Sequence, residues 1–285
     1  MKYQGLFVGL VSLDIIYRVD TFPGKNQKIV ASDETIAAGG PATNAAVTFS
    51  YLGGKGNLVG VVGNHPISNL IRGELERFNL TISDLNPDGA ESPPVSSIIV
   101  TKATGDRAVI SINATKYQAC GSQYPLHVLE DIDIVLIDGH QMEVSQAIAE
   151  KAKQQNIPVV IDGGSWKNGF ETVLPYVDYA VCSANFYPPD CETQENVFAY
   201  LSAAGIKYIA ITNGEKSIQY LSQGKKGQLN IPAINAIDTL GAGDIFHGAF
   251  CYYVLQQNFI DSLTVATKIA AYSCQFFGSR KWMED

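Results

Sequence analysis

Short apolar runs alternate with amphipathic segments over residues 130–220, and this rhythm predicts strands that alternate with helices. The strands are predicted at residues 132–137, 158–161, 179–182 and 208–211, and the helices at 143–155 and 194–204. An earlier apolar run at 6–11 predicts the first strand. Because strands and helices of this length form βαβ crossovers, we expect a three-layer α/β/α sandwich around a mostly parallel sheet.

Two stretches depart from this rhythm. Residues 14–35 and 94–113 show partial two-residue alternation, for example at Ile15 and Tyr17. Such alternation predicts antiparallel hairpins, which we expect to form a small β-sheet lid over the main sheet. Since no Pro-, Gly- or Ser-rich linker and no internal repeat divides the sequence, residues 1–285 are interpreted as one domain.

The composition, with 46% apolar and 17% charged residues, is that of a folded globular protein. Twenty Lys and Arg against 28 Asp and Glu give a formal net charge of −8. This sign is wrong for neutralising a nucleic-acid backbone, so no nucleic-acid partner is expected. A small phosphate-bearing molecule is compatible with the charge, because backbone amides and one or two local cations can hold it.

The five cysteines are odd in number and form no Cys-x-x-Cys pair. Neither a zinc site nor a disulfide framework is indicated. We expect free thiols without a chemical role, in a reducing compartment. The apolar run at 6–11 is too short for a signal peptide, and no segment reaches the roughly 18 apolar residues of a membrane span. We therefore expect a cytoplasmic protein with no membrane partner.

Glycines directly precede a predicted helix in segment 238–244, Asp-Thr-Leu-Gly-Ala-Gly-Asp. They leave the first helical amides free, so Gly241, Ala242 and Gly243 can form an anion hole for a phosphoryl group. Asp244, in the first turn, could accept the proton of an alcohol that attacks a γ-phosphate. Taken alone, the segment could equally be a tight turn followed by a helix-stabilising carboxylate. No Walker loop and no complete dinucleotide fingerprint is present in the sequence.

A second glycine cluster, Gly39 and Gly40, opens another predicted helix that carries Asn44 one turn in. Paired glycines let a ligand approach the backbone, and an asparagine amide can both donate to and accept from hydroxyl groups. Asp14, after the first predicted strand, could accept hydrogen bonds from two sugar hydroxyls. The alternative is that these residues form only a loop, an N-cap and a turn.

Together these motifs resemble the PfkB, or ribokinase-like, family of carbohydrate kinases, in family order over nearly the whole chain. The resemblance implies a ribokinase-like fold and transfer of the γ-phosphoryl group of ATP to a sugar hydroxyl, with Mg²⁺ bound to the nucleotide. It implies that Asp244 is the general base and residues 241–243 the anion hole. Segments 8–20 and 244–249 are similar to the ketohexokinase and sulfofructose kinase branches, which favours a ketose-like sugar. The family's lid often supplies a homodimer contact.

The resemblance also implies binding residues. The implied sugar contacts are Asp14, Gly39, Gly40, Asn44 and Arg107. The implied nucleotide contacts are Asn185, Thr212, Gly214, Asp238 and Thr239, and no residue is assigned as a metal ligand. The bidentate fork of Arg107 would suit an anionic sugar, the equal alternative being a solvated lid arginine.

Three positions depart from the family pattern. Pro188 replaces the glutamate of the usual Asn-x-x-Glu, so the handling of Mg²⁺ is left open. Asn64 stands in a region where the family has Gly-Asp, and Ser217 replaces a common glycine. A nucleoside kinase of the same fold, or a sugar- or nucleotide-sensing homologue with weak turnover, are the alternatives.

Three further polar residues flank the predicted site. His247 is interpreted as a packing residue, in preference to a catalytic one. His140, at the end of a predicted strand, could contact substrate or phosphate, although a structural role without ligand contact is favoured. Lys167 could approach nucleotide phosphates, the favoured alternative being an exposed lysine.

Overall fold

The structure is a computed structural model that describes residues 2–125 and 127–284. The strands in these residues are β1 Gln4–Val8, β2 Ser12–Val19, β3 Asp33–Gly39, β4 Lys55–Gly60, β5 Thr81–Asp84, β6 Val95–Thr101, β7 Arg107–Ile110, β8 Ile134–Ile137, β9 Val159–Gly163, β10 Tyr179–Ser183, β11 Tyr208–Asn213, β12 Lys216–Ser222 and β13 Lys225–Leu229. The helices are α1 Pro41–Tyr51, α2 Ser68–Arg77, α3 Met142–Gln154, α4 Phe170–Val173, α5 Gln194–Ala203, α6 Ala242–Val254 and α7 Phe259–Ser273. None of the helices in these residues is long and apolar enough to cross a bilayer.

The central sheet has the strand order β13-β12-β11-β10-β9-β8-β1-β4-β5. The strands from β5 to β11 in this order pair in parallel. The two remaining strands, β12 and β13, pair antiparallel and form one edge of the sheet. All four strands predicted between residues 130 and 220 are present, with ends within two residues of the prediction.

Successive side chains of the inner strands enter two different cores. In β1, Leu6 and Val8 pack into the core that contains residues of α3, α4 and α5. Phe7, between them, packs into the core formed with α1, α2, α6 and α7. A strand that is apolar on both faces needs a helix layer on each side, which gives the three-layer sandwich predicted from the sequence.

The lid is a second sheet in the order β3-β2-β6-β7. Two antiparallel hairpins, β2 with β3 and β6 with β7, were expected, and both are present. The structure adds a parallel pairing of β2 with β6, which joins the hairpins into one sheet. Because β2 begins four residues after β1 ends, the lid grows directly from the carboxyl edge of the central sheet.

Asp138, immediately after β8, ties this edge together. Its carboxylate accepts hydrogen bonds from Leu10 N at 2.9 Å and from Ala42 N, in the first turn of α1, at 3.1 Å. The first strand ends at Val8 and not at residue 11 as predicted, and beyond it Leu10 N donates to the Asp138 side chain. Residue 9 must be glycine, since a Cβ there would lie 2.0 Å from an Asp138 carboxylate oxygen. Burial would raise the pKa of Asp138, but His140, Lys167 and the Leu10 amide lower it to about 2.

We expect Asp138→Asn to lower the free energy of unfolding at pH 7 by about 2 kcal/mol, measured by urea denaturation. A folded pKa of about 2 lies below the ordinary value of 3.8, so the charge stabilises the fold above pH 4 and this contribution is lost as the pH falls toward 2. The difference in free energy of unfolding between the variant and the wild type should therefore become smaller below pH 4. Asp133→Asn, at the exposed start of the same strand, is the control and should cost much less. A loss at Asp138 no larger than that at Asp133 would refute this account.

Candidate active site

Asp14 lies on the inner face of the lid, where β2 runs beside the end of β3. Its carboxylate accepts a hydrogen bond from Ser12 Oγ at 2.9 Å. Burial raises the pKa of Asp14, while the hydroxyls of Ser96 and Ser12 and the charge of Arg280 oppose the rise. Gly39 makes room for this carboxylate, because a Cβ there would lie 2.1 Å from Asp14 Oδ2.

Gly40 starts α1 with a φ of 101°, a conformation that glycine adopts readily and other residues rarely do. A Cβ at this position would also meet Leu10 O at 2.2 Å. The turn therefore requires glycine, and it directs Asn44, one turn into α1, toward the start of α6. The sequence placed Gly39, Gly40, Asn44 and Asp14 in one sugar site, and the structure brings them to one corner between lid and sheet.

Asn44 and Asp244 are in direct contact. Asn44 Nδ2 donates a hydrogen bond to Asp244 Oδ2 at 2.7 Å, although 200 positions of sequence separate the two residues. A carboxylate oxygen held by an amide donor is kept in one orientation, with its second oxygen left for another partner. The contact joins the predicted sugar residues to the predicted base.

Arg280, which the sequence analysis did not select, fixes the orientation of the Asn44 amide. Its Nη1 donates to Asn44 Oδ1 at 2.9 Å and its Nε to Glu74 Oε1 at 2.9 Å. Its Nη2 donates to Ala38 O at 2.7 Å, and the Glu74 carboxylate also accepts a hydrogen bond from Ala38 N. Since the Asn44 oxygen faces Arg280, the Asn44 NH₂ group must face Asp244.

The start of α6 presents backbone donors beside Asp244. Gly241 caps the helix in the left-handed region, with φ 71°. Ala242 N donates to Thr239 O at 3.3 Å and Ile245 N to Gly241 O at 2.8 Å, which leaves the first-turn amides of Gly243 and Asp244 directed out of the helix. A Cβ at Gly243 would meet no atom within 4 Å outside its chain neighbours and its own helix, so the surface beside Gly243 is open. The residues predicted to form an anion hole lie at this helix start, with the amide of Ala242 turned toward Thr239.

Asp244 is a partly buried carboxylate with an elevated pKa. Burial raises the pKa of Asp244 to about 7, and the neighbouring Asp162 carboxylate adds to the rise. The hydrogen bond from Asn44 and the charges of His247 and Arg107 oppose it. A carboxyl with a pKa near neutral can accept a proton in the operating range of a general base.

Asp238 and Thr239 build the loop that precedes the helix. The Asp238 carboxylate accepts hydrogen bonds from Leu240 N at 2.8 Å and from Gly278 N at 2.9 Å, and burial raises its pKa. Arg107, on β7, donates to Thr239 O at 2.5 Å and to Thr239 Oγ1 at 3.0 Å. The structure therefore places Arg107 on the loop that leads to Asp244, as a link from the lid.

The remaining predicted nucleotide residues lie further along the same sheet edge. Thr212 lies one residue before the end of β11, and its carbonyl accepts a hydrogen bond from Ala184 N at 2.7 Å. Asn185 is exposed just after β10, and its backbone N donates to Ser183 Oγ at 3.0 Å. Gly214 forms the turn into β12 with φ 57° and open space around it. These three predicted nucleotide residues therefore lie at the ends of β10 and β11, which β8 and β9 separate from β1 in the sheet.

Charged residues after β8 and β9 lie between these two ends. His140 Nδ1 lies 3.0 Å from Asp138 Oδ1, so the His140 ring is a partner of the Asp138 carboxylate. Lys167 is half-buried, with its Nζ donating to Asp138 O at 3.2 Å. Asp162 lies one residue before the end of β9, and its burial raises its pKa. Over residues 2–125 and 127–284, no three His, Cys, Asp or Glu side chains converge into a cage for a metal ion.

Some of these residues gave a signal in the sequence. Asp138 and Asp162 each follow a predicted strand directly, and residues in that position of a parallel sheet lie at the edge where ligands bind. Arg280 stands between Ser279 and Lys281, and this segment gave no signal of its role. Glu74 resembles any solvated residue of an amphipathic helix. The assembled site can orient a hydroxyl against a carboxylate base and hold an anion at a helix start.

The sequence matches the profile described as pfkB family carbohydrate kinase over residues 5–285. It is 22% identical to the ribokinase of Bacillus subtilis (strain 168) over 284 residues, covering 97% of this chain and 94% of that protein. It is 22% identical to the ketohexokinase of Mus musculus over 293 aligned positions, covering 96% of this chain and 97% of that protein.

Solved structures show the same architecture. The ribokinase of Thermotoga maritima superposes with a TM-score of 0.80 at 23% identity, covering 100% of this chain and 98% of that one. Arabidopsis thaliana ribokinase complexed with ribose and ATP superposes with a TM-score of 0.77 at 20% identity, with 100% of each chain covered. The predicted ribokinase-like fold is confirmed by these matches.

We expect Asp244→Asn to raise the melting temperature at pH 8. A folded pKa of about 7 lies above the ordinary 3.8, so the stability associated with this group is complete below pH 4 and is lost as the pH rises through 7. Asparagine carries no charge and should recover roughly 1 kcal/mol after allowance for partial solvent screening, or about 2–4 °C. The gain should shrink as the pH falls to 5. The exposed Asp88→Asn is the control, and a variant no more stable than wild type at pH 8 would contradict the elevated pKa.

Proposed function

Because this chain belongs to the PfkB family of carbohydrate kinases, which are phosphotransferases with alcohol acceptors, we propose that it transfers the γ-phosphoryl group of ATP to a hydroxyl of a ketose-like sugar. The single observation that carries the proposal is the 2.7 Å contact between Asn44 and Asp244. This contact supports the proposal because it joins a residue proposed to bind sugar to the proposed base at the start of α6. A sugar hydroxyl held there would lie next to both the carboxylate and the open helix amides.

In this mechanism the sugar binds between the lid and the sheet edge. Asp14 accepts hydrogen bonds from its hydroxyls, and the glycine turn at 39–40 lets it approach the backbone. Asp244 removes the proton of the attacking hydroxyl, and the amides at the start of α6 stabilise the negative charge that develops on the transferred group. Closing the lid over the sugar excludes water, which would otherwise compete as the acceptor.

The nucleotide is proposed to bind on the other side of α6, along Thr212, Asn185 and Gly214. Arabidopsis thaliana ribokinase has been solved in complex with ribose and ATP, which supports ATP and a sugar as the two substrates. Mg²⁺ bound through phosphates and water would need no cage of protein side chains. Mg²⁺ on the nucleotide would neutralise phosphate charge, and Pro188 takes no part in holding it.

The sugar is favoured over a nucleoside as the acceptor. Tyr17, Phe22 and Tyr117 are the aromatic residues near the lid that could line a slot for a base. Tyr117 lines a cavity together with Leu10 and Gln141. Tyr17 lies three residues from Asp14 in β2 and therefore on the opposite, outer face of the lid. Phe22 lies beyond the end of β2 and is exposed. The intact segment 238–244, together with the contact of Asn44 with Asp244, favours a working kinase over a sensor without turnover.

We expect Asp244→Asn to lower kcat roughly 10²- to 10⁴-fold in a coupled ADP-release assay with Mg-ATP and a panel of ketoses, aldoses, sugar acids, sulfo-sugars and nucleosides. Since the base must be ionised, kcat/KM of the wild type should fall as the pH drops through about 7, following the pKa of Asp244. The variant should lose this acid limb.

The matched control is Asp261→Asn, which changes an aspartate in the first turn of a different helix, α7. It should keep wild-type turnover and the same pH profile. Near-normal turnover in Asp244→Asn would refute the base assignment. ATP binding without ADP release on every acceptor class would refute the kinase in favour of a sensor.

The outer face of the lid is proposed to form a homodimer contact. Cross-strand pairing aligns Ile15 with Ile36 and Tyr17 with Ile99 on this face. Ile36 is 53% exposed and Ile110 is 72% exposed. A continuous apolar sheet face of this kind is typical of an interaction surface. We also propose a cytoplasmic location, which the five free thiols support.

We expect the wild type to run as a dimer in size-exclusion chromatography with light scattering, and the double variant Ile36→Glu/Ile110→Glu to run as a monomer. Two carboxylates in the centre of an apolar contact would be buried without partners. Leu70→Glu, an equally exposed leucine on α2, should leave the dimer intact. A monomeric wild type would overturn the proposed contact.

A further inference from the structure

His247 lies in the second turn of α6, where the helix packs against the central sheet. Its side chain is only 6% exposed. Nδ1 lies 2.7 Å from Gly243 O, and Nε2 lies 3.0 Å from Val181 O of β10. The imidazole thus bridges the peptide that precedes Asp244 and the sheet beneath it, which is more than the packing role expected from the sequence.

The two partners within 3.0 Å of the ring nitrogens are backbone carbonyl oxygens, and a carbonyl oxygen can only accept a hydrogen bond. A neutral imidazole carries one N–H and one bare nitrogen lone pair. In either tautomer that lone pair would face a carbonyl oxygen within 3.0 Å in a buried site, an unsatisfied and repulsive contact. Only the doubly protonated ring donates to both oxygens.

We propose that His247 is held as an imidazolium under the start of α6, and that this fixed charge makes it a positioning residue for Asp244 and the anion-binding amides. The protonation state follows from the geometry alone. The catalytic part rests on the proposed kinase function.

Asp162 supplies the counter-charge. Its carboxylate oxygen Oδ2 lies 3.4 Å from His247 Nδ1, and the Asp162 side chain is also 6% exposed. A buried imidazolium needs such a partner, because an unpaired charge is strongly disfavoured away from water. The pair gives each of these two buried side chains a partner of opposite charge.

Other titratable groups face this pair from each packed element. Asp244 precedes His247 on α6, and Cys251 follows it one turn later. Cys182 faces from β10, and both thiols have a pKa raised by burial and by the Asp162 charge. Beyond Asp162 lie Asp138, Lys167 and His140, which also act on its pKa.

Two effects on the reaction follow. A proton donated to Gly243 O holds and polarises the peptide whose other end is the Asp244 N–H, one of the open amides of the helix start. The positive ring also offsets the Asp162 charge, which otherwise raises the pKa of Asp244. His247 thus keeps Asp244 ionisable in a pocket that already holds buried negative charge.

The protonation state is tested by ¹⁵N–¹H correlation spectra of the imidazole rings at pH 7.5, on the wild type without ligands. The four histidines are distinguished with His247→Gln, or, if that variant does not fold, by elimination with Gln substitutions at His65, His127 and His140. We expect both ring nitrogens of His247 to carry a proton, because both carbonyl partners can only accept hydrogen bonds. A neutral tautomer at this position would overturn the proposal.

The catalytic part is tested by the acid limb of kcat/KM. His247→Gln should move the limb to higher pH by roughly half to one unit, since a stabilising positive charge is lost. Asp162→Asn should move it to lower pH, and the double variant should lie between the two. A residue that only packs would lower the melting temperature without moving the limb, and an unmoved limb in His247→Gln would overturn the positioning role.

The two arms separate this inference from the proposed function. The spectra require no turnover, so a doubly protonated His247 in a protein without kinase activity would refute the function and leave the charge assignment standing. A neutral His247 in an active kinase would refute the charge assignment and leave the proposed function standing.

Discussion

Negative charge kept out of water at the carboxyl edge of the sheet is the constraint on which this structure depends. Asp138, Asp162 and Asp238 are almost fully buried there, with Asp244 beside them. A buried carboxylate must be paired or hydrogen-bonded. Asp138 meets this requirement with amides of two neighbouring segments, Asp238 with the loop before α6, and Asp162 with the imidazole of His247. The same contacts that satisfy the charges fix the positions of β1, α1 and α6.

Asp244 is the exception that gives the edge its chemistry. Its charge is opposed by burial and by Asp162, and only the amide of Asn44 holds it directly. A neutral side chain at position 244 would make the fold more stable, whereas proton transfer needs an ionisable side chain there. Arg280 resolves the conflict in part, because it orients Asn44 without bringing its own charge onto Asp244. Arg107 acts from the lid by donating to Thr239 in the loop before α6, and its charge also opposes the rise in the pKa of Asp244.

Much of this arrangement could be predicted from the sequence, for identifiable reasons. Strands and helices followed from the apolar rhythm, and their ends marked Asp138 and Asp162 as edge residues. The segment around Asp244 was found because glycine before a helix is a local pattern. The partners of these residues were not predictable, since Arg280, Glu74 and Asn44 meet only through tertiary packing. The role of His247 was missed because the two carbonyls that define it come from the chain's path and not from any side chain.

The contacts that complete the site join residues far apart along the chain. Arg107 and Thr239 are 132 positions apart, Asn44 and Asp244 are 200, and Asn44 and Arg280 are 236. Closing loops of this length costs conformational entropy that is recovered only once much of the core is packed. A refolding chain therefore gains its helices and strands before it gains its site. Loss of global packing would scatter these residues even where the local secondary structure survives, so binding competence reports on the folding of the whole domain.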